Sequence, residues 1–124
     1  MEKINSYKDL IVWQKSIELS VEVCQVSMRF LSEEIYGLKN LIRRACNSIS
    51  LNIAEGHNRN STKSYFNSLN IANGSLYELE SGIYLSKKLN FININAINKI
   101  NELVVEIQKM LSTLITKLTN KLTP

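Results

Sequence analysis

Apolar residues recur at steps of three and four along most of this chain, the spacing that gathers them on one side of an α-helix. In the first segment Leu10, Trp13, Ile17, Val21, Cys24 and Met28 keep that rhythm. They predict a helix from Lys8 or Asp9 to Arg29, capped by Ser6 or Asp9. Phe30-Leu31-Ser32 reads as a short connection. Ser32 is a good N-cap for a second helix, and Glu33 and Glu34 suit its positive end. The stripe of that helix is Ile35, Leu38, Ile42, Ala45, Ile49 and Ile53, and Gly56 after Glu55 is expected to stop it. His57 to Asn60 is a polar turn, with Asn60 or Ser61 as the next cap. The third stripe is Tyr65, Leu69, Ala72, Leu76, Leu79 and Ile83. Gly74 inside this helix costs about 1 kcal/mol against alanine and is expected to let a neighbouring helix approach. Leu89 to Asn95 turns the chain, and Asn93 or Asn95 opens a fourth helix. Its stripe is Ile97, Ile100, Val104, Ile107, Leu111, Leu114 and Leu118, widened by Leu103, Met110 and Ile115, with fraying near Asn120.

Four amphipathic helices with short connections imply an all-α fold, an antiparallel up-down-up-down four-helix bundle. A chain of 124 residues reads as one domain, 1–124. Its 4 glycines and single proline, the last residue, leave long helices uninterrupted. The hydrophobic share of 44% supplies a core. The longest apolar run, Leu10 to Trp13, falls far short of the ~20 residues that span a bilayer. The start, M-E-K-I-N-S-Y-K-D-L, lacks the apolar stretch of a signal peptide. The expected setting is therefore the cytoplasm, without a membrane.

Little reactive chemistry is visible. Cys24 and Cys46 sit at apolar helical positions and read as small buried thiols rather than a disulfide framework. The single histidine, His57, lies in a turn and cannot by itself make a zinc site. There is no phosphate-loop or dinucleotide motif. Glu33-Glu34 marks a helix start, and Glu78 and Glu80 fall on different helix faces, so neither pair suggests acid–base work. No catalytic residue, metal or cofactor is expected.

The polar residues beside the stripes remain. On a helical wheel Arg44, Ser48, Asn52 and Glu55 fall within roughly 80°, next to Ala45, Ile49 and Ile53. Asn73 and Glu80 flank the seam of Leu69, Leu76 and Ile83. Half-buried polar groups need partners. The expectation is a structural network in which Arg44 pairs with Glu80 or Glu55 and Asn52 bonds Asn73; a binding or catalytic site is the alternative. Phe66, Tyr77 and Tyr84 form a second stripe on the third helix. They are read as an oligomer interface, where tyrosine is favoured, or else as packing within the monomer. The net charge of +4 permits a polyanionic partner without demanding one. Lys39, Arg43, Arg59 and Lys63 are the candidates for contacting RNA or DNA phosphates, against the plainer reading of a solvated surface. Lys109, Lys117 and Lys121 form a second basic region that suits the negative end of the fourth helix.

Several motifs resemble a known family. Leu10 to Gln14 contains L-x-V-W-Q, Phe30 to Leu38 reads F-L-S-E-E-I-Y-G-L, and Ile42 to Ala45 reads I-R-R-A. Ser48 to Gly56 reads S-I-S-L-N-I-A-E-G, and Ile71 to Glu80 reads I-A-N-G-S-L-Y-E-L-E. Together they resemble the four-helix-bundle proteins encoded in intervening sequences of bacterial 23S ribosomal RNA genes. Leu31 stands where that pattern has proline, and Leu41 where it has glutamine. The resemblance implies a homopentamer without enzymatic activity. It also implies similarity to the accessory proteins of diversity-generating retroelements, which bind a reverse transcriptase and nucleic acid. The resulting expectation is an oligomeric binding module associated with nucleic acid. The alternative is a scaffold for a protein partner such as a reverse transcriptase.

Overall fold

The structure, a computed structural model, describes residues 6–30 and 37–123. A single 3₁₀ turn, Tyr7–Asp9, leads into α1 (Ile11–Ser27); α2 (Leu38–His57), α3 (Thr62–Lys88) and α4 (Ile94–Leu122) follow, with no strand among the described residues. Leu31, Ser32, Glu33, Glu34 and Ile35, and with them the expected first turn of the second helix, lie outside the described residues. Each helix packs against the next, and α4 packs back on α1. One apolar core draws on all four.

Local chemistry explains the ends. Ser6 caps the 3₁₀ turn in a capping box with Asp9. Ser61 caps α3 by accepting from the Ser64 N–H, and Asn93 caps α4 by accepting from the Ala96 N–H. α3 ends in a Schellman turn. Phe91 N–H donates to the Ser86 carbonyl at 2.9 Å and Asn90 N–H to that of Lys87 at 3.0 Å. Asn90 takes the left-handed conformation the turn requires, with φ 62°. Asparagine is the L-residue type that best tolerates that region after glycine.

The stripes of α2 and α4 fall where the spacing puts them. Leu38, Ile42, Ala45, Ile49 and Ile53 are buried, as are Ile97, Ile100, Val104, Ile107, Leu111 and Leu118. On α3 the same holds from Leu69 to Ile83, with Tyr65 half-buried. α1 departs from its expectation. Its inward ridge is Val12, Ser16, Leu19, Val23, Val26 and Phe30, whereas Ile17, Val21 and Met28 are exposed, Met28 by 69%. Two ridges on this helix share the three-four rhythm, and the inward one is broken in sequence by serines. Those serines hide their hydroxyls on the helix itself: Ser16 donates to the Trp13 carbonyl and Ser27 to that of Cys24. Burying them therefore leaves no orphan donor.

The glycines also differ from their expected roles. Gly56 does not stop α2. It is buried within the helix, and a methyl group there would meet Ser68 Cβ at 2.7 Å. Gly74 admits no neighbour, since a methyl group on it would touch nothing among the described residues. The close approach falls at Gly82, against Ile42 and Leu41. Ser68, Ser75 and Gly82 recur every seventh residue along α3 and are all buried. Ser68 meets Gly56, Ser75 donates to Ser48 Oγ at 2.7 Å, and Gly82 meets Ile42. Small side chains along this seam let α2 and α3 lie close together.

Candidate functional site

The expected polar network forms differently. Arg44 is exposed and belongs to none of the ion pairs among the described residues. Glu55 pairs instead with Arg59, four residues on and just past the end of α2. Glu80 is exposed on α3. Asn52 turns back on α2 and donates to the carbonyl and hydroxyl of Ser48, at 2.8 and 3.1 Å. The hydrogen bond between α2 and α3 is therefore Ser75 to Ser48, not Asn52 to Asn73. The Asn73 Oδ1 is buried without a partner. The physical reason is the closeness of the seam. Two serines bridge a gap too narrow for paired amides, and the long Arg44 side chain turns out to solvent.

The aromatic stripe splits in a single chain. Phe66 is half-buried and packs against the core. Tyr77 is exposed, though its hydroxyl accepts from Gln108 Nε2 of α4 at 2.9 Å. Tyr84 is 59% exposed, and the Lys88 ammonium lies 5.4 Å from its ring centre.

Of the basic candidates, Arg43 is not on the free surface. Its guanidinium is half-buried. Nε donates to Ser27 Oγ at 2.7 Å and a terminal nitrogen donates to the Cys24 carbonyl at 3.2 Å. It ties α2 to the last turn of α1, where the Cys24 carbonyl also accepts from the Met28 N–H and the Ser27 hydroxyl. Arg59 is held by Glu55. Lys39 is half-buried and Lys63 exposed. Position 43 lies roughly 21 Å along α2 from its last residue, His57, and Arg59 and Lys63 come after that end, so within one chain the four do not converge.

A different basic cluster does converge. An open cleft of about 720 Å³ is lined by Arg29 after α1, Lys87 and Lys88 at the end of α3, and Asn93 and Ile94 at the start of α4. Its floor includes the buried Ile92 and Ile97. None of its three cations enters an ion pair among the described residues. Sequence reading placed Arg29 and the lysines on separate helices. The one local signal was the pair of lysines just before Asn90, a residue type that ends helices.

The remaining reactive side chains are spread out. Burial first, and then the neighbouring Cys24, push the Cys46 thiol up to about 12, well away from a reactive thiolate. His57 lies edge-on to Tyr65, with ring centres 6.0 Å apart. Among the described residues there is no group of three or more His, Cys, Asp or Glu side chains placed to hold a metal. No helix there is long and apolar enough to cross a membrane.

Comparison with known proteins places these features in a family. No curated protein matches the sequence. A solved structure from Bacteroides thetaiotaomicron, a protein of unknown function from the S23 ribosomal protein family, is similar with a TM-score of 0.78. It is 28% identical, and the match covers 85% of this chain and 98% of that one. Residues 8–113, from the 3₁₀ turn into α4, match the 23S rRNA-intervening sequence protein family. With the Arg-Arg-Ala and Asn-Ile-Ala-Glu-Gly stretches both carried on α2 and the match running over residues 8–113, the chain belongs to the 23S rRNA-intervening sequence protein family.

Proposed function

We propose that this protein is a non-enzymatic, oligomeric binding module of the cytoplasm that associates with nucleic acid, RNA in particular, through a basic surface. The observation that carries the reading is the unpaired positive charge. In a chain of net charge +4, the ion pairs among the described residues engage only Lys15, Lys99 and Arg59 as cations. Lys63 and Arg44 stand exposed without a carboxylate partner among the described residues. Repeating such groups around an assembly multiplies a weak field into one that attracts phosphates. The architecture in this reading is an antiparallel up-down-up-down bundle. It is supported by Arg43, early in α2, bonding the end of α1, and by Gly82, late in α3, meeting Ile42, early in α2. The assembly is a homopentamer, with the exposed Tyr77 and Tyr84 available for its contacts. Filter binding of RNA across a salt series tests the function. Affinity that falls steeply with salt supports it, and no affinity at low salt rejects it. Light scattering tests the assembly, and a monomer at micromolar concentration rejects it.

A second reading, a scaffold for a protein partner such as a reverse transcriptase, is favoured by the exposed ridge Ile17, Val21 and Met28 on α1. An apolar row of this kind marks contact surfaces. Retrieval of one defined partner from the native host, lost on Val21→Asp, supports that reading. Unchanged retrieval with the variant counts against it.

A further inference from the structure

The cleft between the ends of α1 and α3 and the start of α4 brings Arg29, Lys87 and Lys88 to one space. We infer that it is where the chain holds the phosphate backbone of a single-stranded nucleic acid, with Arg29, Lys87 and Lys88 as the phosphate contacts. This rests on the nucleic-acid reading above and names its site.

Three observations support the assignment. Arg29 follows α1 and Lys87 and Lys88 end α3; all line the cleft, and none is neutralised by a carboxylate among the described residues. The lysines are not needed to satisfy the end of α3. The Schellman turn already supplies donors to the carbonyls of Leu85, Ser86 and Lys87, from Leu89, Phe91 and Asn90. That same turn carries the chain directly from Lys88 to the start of α4. There Asn93 accepts from Ala96, and the first-turn N–H groups of Ile94 and Asn95 have no carbonyl behind them in the helix. Positive side chains and the positive end of a 29-residue helix therefore face one space.

The shape of the cleft selects among anions. It is open, and it has an apolar side: Ile92 and Ile97 form its floor, and Ile94 is 59% exposed at its edge. A free phosphate has no use for that surface. An unpaired strand does, because its sugars and unstacked bases present apolar faces beside each phosphate. A duplex keeps its base faces stacked inside.

The test is fluorescence anisotropy of a labelled single-stranded RNA oligonucleotide across a salt series. It compares the full-length protein with a triple variant, Arg29→Gln, Lys87→Gln and Lys88→Gln. Losing three phosphate contacts is expected to weaken binding on the order of a hundredfold at low salt and to flatten the log–log salt slope by about 2. The charge-keeping set Arg29→Lys, Lys87→Arg and Lys88→Arg is expected to bind like wild type, which separates lost charge from lost fold. Arg44→Gln with Lys63→Gln is expected to weaken binding less than the triple variant. If wild type binds RNA and the triple variant binds equally well, the cleft assignment fails while the general function stands. If wild type does not bind at all, both fail. Tighter binding of the matched duplex overturns the strand preference. Displacement of the RNA by polyglutamate as readily as by unlabelled RNA overturns phosphate recognition.

Discussion

Gly82 of α3 lies so close to Ile42 of α2 that a single added methyl group would sit 2.6 Å from the isoleucine Cγ2. Ile42 is fully buried and, being β-branched, has little freedom to turn aside. Gly82→Ala therefore overpacks the seam. The overpacking cost is about 1–3 kcal/mol, and it outweighs the roughly 1 kcal/mol that alanine gains in helix propensity. Gly74→Ala meets nothing among the described residues and keeps the propensity gain. Urea unfolding is expected to move the midpoint down for the first variant and up for the second. A Gly82→Ala protein as stable as wild type would remove the close-approach argument.

Arg43 serves the fold rather than a ligand. Its guanidinium bonds Ser27 Oγ and the Cys24 carbonyl, and Ser27 is wholly buried. Arg43→Met keeps the apolar stem and removes both bonds. It is expected to cost about 1.5–3 kcal/mol, the range for hydrogen bonds to a charged group. Arg43→Lys should recover only part of this, because one ammonium cannot reproduce the guanidinium fork. Nucleic-acid affinity of the folded Arg43→Met protein should be nearly unchanged. A loss of affinity without a loss of stability would return Arg43 to the binding surface.

Asn90 holds the turn that sets Lys87 and Lys88 beside α4. At φ 62° an ordinary L-residue pays for its Cβ. Asn90→Ala is expected to lower stability by about 1 kcal/mol, whereas Asn90→Gly should match or exceed wild type. Thermal unfolding of the two variants decides this, and equal melting temperatures would contradict the Schellman assignment.

Cys46 gives a pH dependence with a definite sign. Its thiol ionises at about 12 in the folded chain against an ordinary 9.0. Between those values the unfolded chain loses the proton and the folded chain keeps it. The contribution is therefore complete below pH 9 and declines as pH rises toward 12, by up to about 1.4 kcal/mol per unit. Cys46→Ala should flatten this part of the stability profile. The native thiol should also resist alkylation at pH 8 until the chain unfolds. Rapid alkylation of Cys46 in the folded protein would show that it is not buried.

The glycines and serines mark where sequence reading reached its limit. The four helices, three of the four core stripes, and the caps to within a choice of two, which the structure settles as Ser61 and Asn93, follow from spacing and side-chain chemistry, because those depend on residues three or four apart on one element. The inward ridge of α1 does not. Two ridges share the same rhythm, and Ser16 and Ser27 look polar until their hydroxyls are seen bonded to their own helix.

The candidate site was less legible still. Lys39, Arg43, Arg59 and Lys63 were visible as basic residues, but charge along a sequence does not reveal a partner across a fold. Arg43 and Arg59 are engaged by Ser27 and Glu55. Arg29, Lys87 and Lys88 share a cleft only because the helix ends meet. Periodicity along the chain by itself determined the rods and most of the surfaces they bury, since it is a local property of a 3.6-residue turn. Only the packing of one rod on another decided which glycine is crowded, which serines bridge and which cations stand together, because those depend on distances between residues far apart in the chain.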